Sequence, residues 1–252
     1  MFIPGPQSRL SGLILFDKPS GWTSHDAAQA VRRMLPKGVK VGHCGALDPI
    51  ATGLLILLVG RMTRFQAKLQ GLDKVYTGLI RLGLHTDTGD IAGKIVEERP
   101  VPDLTNDELD SHMKTFIGRM ETAAPAYSAV KYRGVPLYKY ARRGIPVPPR
   151  MRINLVHEWS ALGYKAPDVE HRVSCSSGTY VRSMAELLGA RLGCGAAVLT
   201  LRRERIAHFP IDQALTLDVL KGMSNRDLRT HLDASLDRLR GLEDAKPTAA
   251  SA

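Results

Sequence analysis

The stretch that decides the fold reads Gly42-His43-Cys44-Gly45-Ala46-Leu47-Asp48-Pro49-Ile50-Ala51-Thr52-Gly53 and runs directly into Leu54-Leu55-Ile56-Leu57-Leu58-Val59. Six apolar residues in a row predict a short strand that is buried on both faces. The glycines before it allow positive φ angles and a close approach of the backbone to a ligand. Asp48 is the only carboxylate in this glycine-containing loop. It is either a reactive group or an aspartate that caps a turn before Pro49.

The sequence on either side of this segment predicts further strands and helices. Upstream, residues 12–16 form an apolar strand, and Thr23 or Ser24 caps a helix that ends before Pro36. Downstream, strands are predicted for residues 74–81, 152–163, 169–175 and 199–209, and helices for residues 104–116, 179–192 and 217–239. Because strands and helices do not alternate regularly, we expect an α+β fold with a mixed, mainly antiparallel sheet and flanking helices.

Three other segments lack this periodicity. Residues 83–93 form a polar loop, and residues 121–152 are rich in proline, tyrosine and basic residues. We interpret residues 121–152 as an ordered but mobile basic insertion on the surface. Residues 246–252 are small and polar, which predicts disorder.

The chain of 252 residues has an excess of positive charge, with 35 Lys and Arg against 25 Asp and Glu. Basic residues concentrate at 131–152 and 202–205. Such a surplus favours a polyanionic partner, usually nucleic acid, although a merely cationic soluble surface fits equally well.

Cysteine usage and hydropathy bear on the compartment. Three cysteines without CxxC spacing argue for a reducing environment and against a disulfide framework or structural zinc. The first ten residues do not resemble a signal peptide, and no apolar run is long enough to span a bilayer. These features predict a cytoplasmic protein without a membrane anchor.

General catalytic signatures give little support to other enzyme classes. Asp87-Thr88-Gly89 matches the triplet of aspartic proteases, but the second triplet that they need is missing. Ser128 and Lys131 match S-x-x-K without the accompanying motifs of that class. No phosphate-binding glycine motif occurs, and His43-Cys44 lacks a second pair at zinc spacing.

The loop at 42–53 resembles the catalytic loop of the TruB-type tRNA pseudouridine-55 synthases, G-H-T-G-T-L-D-P-x-A-T-G-x-L. Cys44 and Ala46 depart from this pattern by replacing two threonines. Six further segments are similar to other motifs of the family, in the same order: FDKPSGWTS at 16–24, KVY at 74–76, GLHTDTGDIAG at 83–93, PAYSAVK at 125–131, CSSGTYVRS at 175–183 and LTLRR at 199–203.

This resemblance implies the pseudouridine synthase fold and a reaction that detaches, turns and rejoins a uracil base. It assigns Asp48 as the catalytic carboxylate and Arg182 as the cation that pairs with it. Tyr76 would stack on the target base and help to move a ribose proton. The remaining substrate-binding residues implied are His43 in the space of the flipped base, Tyr180 in the same pocket and Leu201 as an apolar wall. Without the resemblance, an arginine on a helix is an ordinary surface charge, and tyrosine or leucine is ordinary core.

The resemblance also predicts the partner, the T-arm of tRNA, with uridine 55 as the target. The insertion at 121–152 would grip this RNA, with Lys131, Arg142 and Arg143 among its contacts. We expect no cofactor, no metal and no protein partner, and a monomer. Residues 1–240 would form the catalytic domain and residues 241–252 a disordered tail, without a separate C-terminal RNA-binding domain.

Two related functions remain open. A protein of this fold could act as an RNA chaperone or RNA-binding protein, or it could be a guide-RNA-dependent pseudouridine synthase.

Overall fold

The computed structural model describes residues 10–236, so the predicted disordered tail lies outside the described residues. The strands in this part of the chain are β1 (Gly12–Lys18), β2 (Val41–Cys44), β3 (Thr52–Val59), β4 (Lys74–Leu82), β5 (Leu84–Thr86), β6 (Ile95–Glu98), β7 (Gly118–Ala123), β8 (Lys131–Tyr132), β9 (Val135–Pro136), β10 (Met151–Lys165), β11 (Asp168–Cys175), β12 (Ala196–Ile206) and β13 (Phe209–Pro210). The α-helices are α1 (Ser24–Met34), α2 (Gln66–Gln70), α3 (Asn106–Lys114), α4 (Leu137–Ala141), α5 (Val181–Leu192), α6 (Leu217–Gly222) and α7 (Asn225–Ser235).

These elements form two compact units. Among the described residues, the first unit contains residues 10–74 and 202–236, and the second contains residues 75–201. Strand β12 contributes its first residues to the second unit and its last residues to the first. Each unit is described by itself below.

The first unit is built around β3, the buried apolar strand predicted from residues 54–59. On one edge β3 pairs antiparallel with β1, from Gly53 opposite Lys18 to Val59 opposite Gly12. On the other edge it pairs in parallel with β12 at its start and antiparallel with β2 at its end. All residues from Gly53 to Val59 are buried. The sequence prediction of a strand covered on both faces is confirmed.

Helices cover one face of this sheet. The hydroxyl of Thr23 accepts a hydrogen bond from the Asp26 amide, and the Asp26 carboxylate accepts one from the Thr23 amide, which makes a capping box. The cap at Thr23, one of the two predicted, is therefore confirmed. Ala27, Ala28 and Val31 of α1 pack in one core cluster with apolar residues of β1, β3, α6 and α7.

The second unit contains a sheet in the order β12-β4-β11-β10-β7. Strands β10 and β11 form a long antiparallel pair, and β7 pairs antiparallel with the start of β10. Helix α3 is fixed to β10 by a hydrogen bond of 2.9 Å from the Ala161 amide to the Asp110 carboxylate. Trp159 of β10 and His171 of β11 are fully buried in this unit.

Several predicted loops contain short regular elements. Strand β2 occupies the start of the glycine-containing loop, and β5 occupies part of the predicted loop at 83–93. The predicted insertion at 121–152 begins within β7 and ends within β10, and between them it holds β8, β9 and α4. Strands β5, β8 and β9 were missed because each is very short and pairs only with another short strand. Strand β2 was missed because its four residues form a strand only by pairing with β3.

The predicted helix at 217–239 is two helices. The hydroxyl of Ser224 accepts a hydrogen bond from the Asp227 amide, and the Asp227 carboxylate accepts one from the Ser224 amide. This capping box starts α7 and stops α6 before it. Residues 237–239 lie outside the described part of the chain.

The fold class is as predicted, a mixed α+β fold with mainly antiparallel strands and helices. Within residues 10–236, no helix is long and apolar enough to cross a membrane.

Candidate active site

Asp48 lies on the turn that joins β2 to β3 in the first unit. Its carbonyl accepts a hydrogen bond of 3.0 Å from the Ala51 amide. The turn that precedes α1 holds this loop from the side, because the Gly21 amide donates to the Pro49 carbonyl at 2.8 Å. The Ser24 hydroxyl, which is buried, accepts from the Leu47 amide at 2.8 Å. Leu47 and Pro49, the residues on either side of Asp48, are therefore both held by residues 21–24.

A buried lysine adds positive charge near the loop. Lys18 is fully buried at the end of β1, and its ammonium donates to the carbonyls of Pro19 at 2.8 Å and Trp22 at 2.7 Å. Burial lowers the pKa of Lys18 to about 8, and the negative charge of Asp48 opposes this shift. The positive charge of Lys18 therefore interacts favourably with the carboxylate of Asp48.

His43 and Cys44 lie on β2, directly before this loop. The Nδ1 atom of His43 is buried and makes no hydrogen bond to any residue in the described range. Burial lowers the pKa of His43, and the charges of His25 and Arg203 lower it further, so the imidazole is neutral at pH 7.

The two departures from the family pattern differ in their surroundings. Cys44 is buried among apolar residues that include Ile56, Leu58 and Phe209, whereas Ala46 is exposed. Burial raises the pKa of the Cys44 thiol to about 12, so it stays protonated and unreactive at physiological pH. The replacement of threonine by Cys44 therefore concerns core packing in the first unit.

Arg203 lies against the loop of Asp48. It does not belong to the basic surface that the neighbouring arginines in the sequence suggested. Only 1% of it is exposed. Its Nε donates to the Leu54 carbonyl at 2.7 Å and its Nη2 donates to the Gly45 carbonyl at 2.9 Å. Arg202 is half-buried and forms an ion pair of 2.9 Å with Asp17. Both charges thus serve contacts within the first unit.

Arg182 belongs to the first turn of α5 in the second unit. Its side chain is buried, which excludes the ordinary surface-charge reading. Its guanidinium donates to the carbonyls of Thr88 at 2.7 Å and Tyr127 at 3.0 Å, and its Nε lies 3.7 Å from the Asp90 carboxylate. The structure thus brings together three segments of the predicted motifs, those around residues 88, 127 and 182.

The other predicted substrate-binding residues are also placed within the second unit. Tyr76 on β4 and Leu201 on β12 are both 8% exposed, and Tyr180 at the start of α5 is half-buried. Asp48 belongs to the first unit, whereas these residues and Arg182 belong to the second. The pairing of Asp48 with Arg182 therefore stays a prediction.

The three predicted RNA-gripping residues are exposed. Lys131 lies on β8, and Arg142 and Arg143 directly follow α4. The guanidinium of Arg142 lies 5.5 Å from the ring centroid of Tyr138. Two further arginines, Arg133 and Arg150, lie 5.3 and 5.9 Å from the ring centroid of Tyr132. The segment therefore presents charged and aromatic groups on one small scaffold, an arrangement that suits single-stranded nucleic acid.

Sequence reasoning missed Lys18, Ser24 and Arg203 as parts of the loop's environment. All three lie in segments that resemble family motifs, and this resemblance was the signal that could have identified them. Their contacts with the loop depend on pairing between segments far apart in the chain, which no local pattern reports.

Comparison with known proteins agrees with the motif pattern. Residues 32–181 match the TruB family pseudouridylate synthase (N terminal domain). The tRNA pseudouridine synthase B of Xanthomonas axonopodis pv. citri is 46% identical over 214 residues, which cover 85% of this chain and 69% of that protein. The protein of the same name from Opitutus terrae is 41% identical over 227 residues, covering 90% of this chain and 94% of the relative.

Solved structures give the same answer. A chain in the crystal structure of a Cbf5-Nop10-Gar1 complex is 27% identical with a TM-score of 0.66, and the match covers 88% of this chain and 60% of that one. A chain in an H/ACA RNP bound to a substrate RNA is 25% identical with a TM-score of 0.63, covering 90% and 60% respectively. This chain thus spans about 60% of the length of either structural neighbour. The chain belongs to the TruB family of pseudouridylate synthases, a family of isomerases.

Proposed function

We propose that this protein isomerises uridine 55 in the T-loop of tRNA to pseudouridine, with Asp48 as the catalytic carboxylate. The proposal rests on one observation: the turn that carries the single carboxylate of this loop is held in place by hydrogen bonds with Gly21, Ser24 and Arg203. Rigid placement of one reacting group is what a reaction at an anomeric carbon requires. The tRNA substrate is taken from the names of relatives that are 41–46% identical.

The reaction breaks a C–N glycosidic bond and forms a C–C bond to the same ribose carbon. A carboxylate serves such chemistry either as a nucleophile or as the counter-charge to an oxocarbenium-like centre. Both roles use the negatively charged carboxylate of Asp48, which lies near the positive charge of Lys18. Atoms are only rearranged, so the reaction needs neither electrons nor a transferred group from a cofactor.

The other predicted residues take roles that rest on the resemblance. The target uridine leaves its stack to reach the carboxylate, as base-modifying enzymes require, and His43 takes its place in the RNA. Tyr76 stacks on the flipped base, Tyr180 and Leu201 line its pocket, and Arg182 provides the cation for Asp48.

RNA binding is assigned to the insertion at 121–152 and its exposed basic residues Lys131, Arg142 and Arg143. Folded RNA is recognised by its shape and phosphates, with unstacked bases read by aromatic and arginine side chains. The tyrosine–arginine contacts at Tyr132 and Tyr138 support this assignment.

The test is single-turnover conversion of an unmodified tRNA transcript by the purified protein alone, followed by mapping of pseudouridine. We expect Asp48→Asn to abolish conversion while tRNA binding persists, because the amide keeps the shape and removes the charge. Asp212→Asn makes the same change at an exposed position of the first unit and should retain full activity.

Residual turnover of Asp48→Asn within tenfold of the wild type would contradict the assignment. Conversion without added guide RNA distinguishes this protein from a guide-dependent synthase. A chaperone would promote RNA folding without any conversion by the wild type.

A further inference from the structure

Strand β3 has an unpaired stretch on one edge, directly beside the loop of Asp48. On this edge β12 pairs with Thr52 and Gly53, and β2 pairs with residues from Ile56 onward. Leu54 and Leu55 lie between these two partners and have no strand neighbour on that edge among the described strands. A buried carbonyl in such a gap costs free energy unless a donor reaches it.

The side chain of Arg203 fills this gap. Its Nε donates to the Leu54 carbonyl and its Nη2 to the Gly45 carbonyl, so a single planar group joins the two ends of the turn. The backbone of Arg203 is equally close to the loop. A Cβ atom at Gly53 would lie 2.4 Å from the Arg203 carbonyl oxygen, which only glycine avoids. Both the main chain and the side chain of Arg203 therefore contact the base of the loop.

We propose that Arg203 is a positioning residue for the isomerisation, because its guanidinium fixes the distance between the two ends of the turn that presents Asp48. The inference rests on the proposed catalytic role of Asp48. Ser24 holds the middle of the turn at Leu47. Arg203 holds its base, so the carboxylate keeps one orientation when the substrate arrives.

The chemistry of the guanidinium explains why arginine suits this position. Its donors point outward from a rigid plane and can reach two separate carbonyls, whereas an ammonium carries all its donors on one atom. At 1% exposure the group is shielded from RNA phosphates, so its charge does not serve binding of a polyanion at the surface.

The test compares Arg203→Lys with Arg205→Lys. Both substitutions keep the charge, so electrostatic attraction of RNA is unchanged. Arg205 lies two residues further along the same strand, but it is exposed and belongs to no loop contact described above. Single-turnover conversion, tRNA affinity and amide hydrogen exchange are measured for both variants and the wild type at a temperature where circular dichroism shows all three folded.

For Arg203→Lys we expect the single-turnover rate at saturating enzyme to fall about 10- to 100-fold, with tRNA affinity changed less than about threefold. Amides of residues 45–54 should exchange faster, including the Leu47 and Ala51 amides. Arg205→Lys should match the wild type in all three measurements. If Arg203→Lys is unfolded, Arg203→Gln, which retains a donor for one carbonyl, is compared with Arg205→Gln, so that both members of the pair lose one charge. The same differences in rate and in exchange are then expected between these two variants.

The inference is overturned if the Arg203 variant converts tRNA within about threefold of the wild-type rate, or if its loss lies in affinity alone. It is also overturned if exchange of residues 45–54 is unchanged. Failure of the proposed function is a separate result, since the wild type would then form no pseudouridine. The exchange comparison would still decide whether Arg203 holds the loop.

Discussion

His171 makes the stability of the second unit depend on pH. It is fully buried on β11, where its Nδ1 accepts a hydrogen bond of 3.3 Å from the indole of Trp159. Its Nε2 is buried without a partner among the described residues. Burial lowers the pKa of His171 from 6.5 to about 4. Protonation would place a charge in the core and a hydrogen on the nitrogen that accepts from Trp159.

The sign and size of the effect follow from linkage. Between about pH 6.5 and about pH 4 the unfolded chain takes up a proton at this residue and the folded chain does not, so stability falls as the pH falls. The loss is about 2 kcal/mol at pH 5 relative to pH 7.5, and about 3 kcal/mol below pH 4. Above pH 7 both states carry the neutral imidazole and the contribution vanishes.

The assay is urea unfolding of the wild type and His171→Gln at pH 7.5 and pH 5, followed by circular dichroism and tryptophan fluorescence. The wild type should lose about 2 kcal/mol more than the variant between these two values. His208→Gln, at an exposed position, controls for removal of an imidazole from the surface. Equal losses in the wild type and His171→Gln would refute the reasoning.

Two further predictions concern a backbone position and the RNA contacts. Gly53→Ala should lower the free energy of unfolding by at least about 3 kcal/mol, because φ is +99° and a Cβ would meet backbone atoms of Arg203. Gly38→Ala, with φ of +93° and open space around it, should lower the free energy of unfolding by only about 1 kcal/mol. Both variants are measured by thermal or urea unfolding, and equal losses would contradict the predicted clash at Gly53. Replacing Arg142 and Arg143 by Gln should weaken tRNA binding and lower the log–log salt slope by about 0.7–0.9 for each lost phosphate contact. The same changes at exposed Arg226 and Arg229 on α7 serve as the control. An unchanged salt slope after replacement of Arg142 and Arg143 would show that tRNA is bound by other residues.

Local sequence patterns predicted those elements that are set by their own residues. The apolar run at 54–59 and the cap at Thr23 needed no information from other parts of the chain. Strand β2 was missed because Val41, Gly42, His43 and Cys44 form a strand only by pairing with β3. The single helix predicted at 217–239 was wrong because a good capping residue, Ser224, stands inside an otherwise helical pattern.

The candidate site was predictable only as far as family resemblance extended. Asp48 and Arg182 were singled out by the motifs, and the burial of Arg182 agrees with a role beyond surface charge. Arg203 was counted among the surface charges, since a run of arginines reads as basic surface. Its burial depends on contacts with Gly45 and Leu54, each about 150 residues earlier in the chain.

This long separation has a consequence for synthesis of the protein on the ribosome. Gly45 and Arg203 are 158 residues apart, and at 5–20 residues per second that distance takes roughly 8 to 30 s to translate. During this interval the nascent chain already contains β1, β2 and β3, but the strand that completes the base of the Asp48 turn has not been made. The first unit is thus completed only after the whole second unit has been synthesised, and the apolar residues of β3 must be kept from aggregating until then.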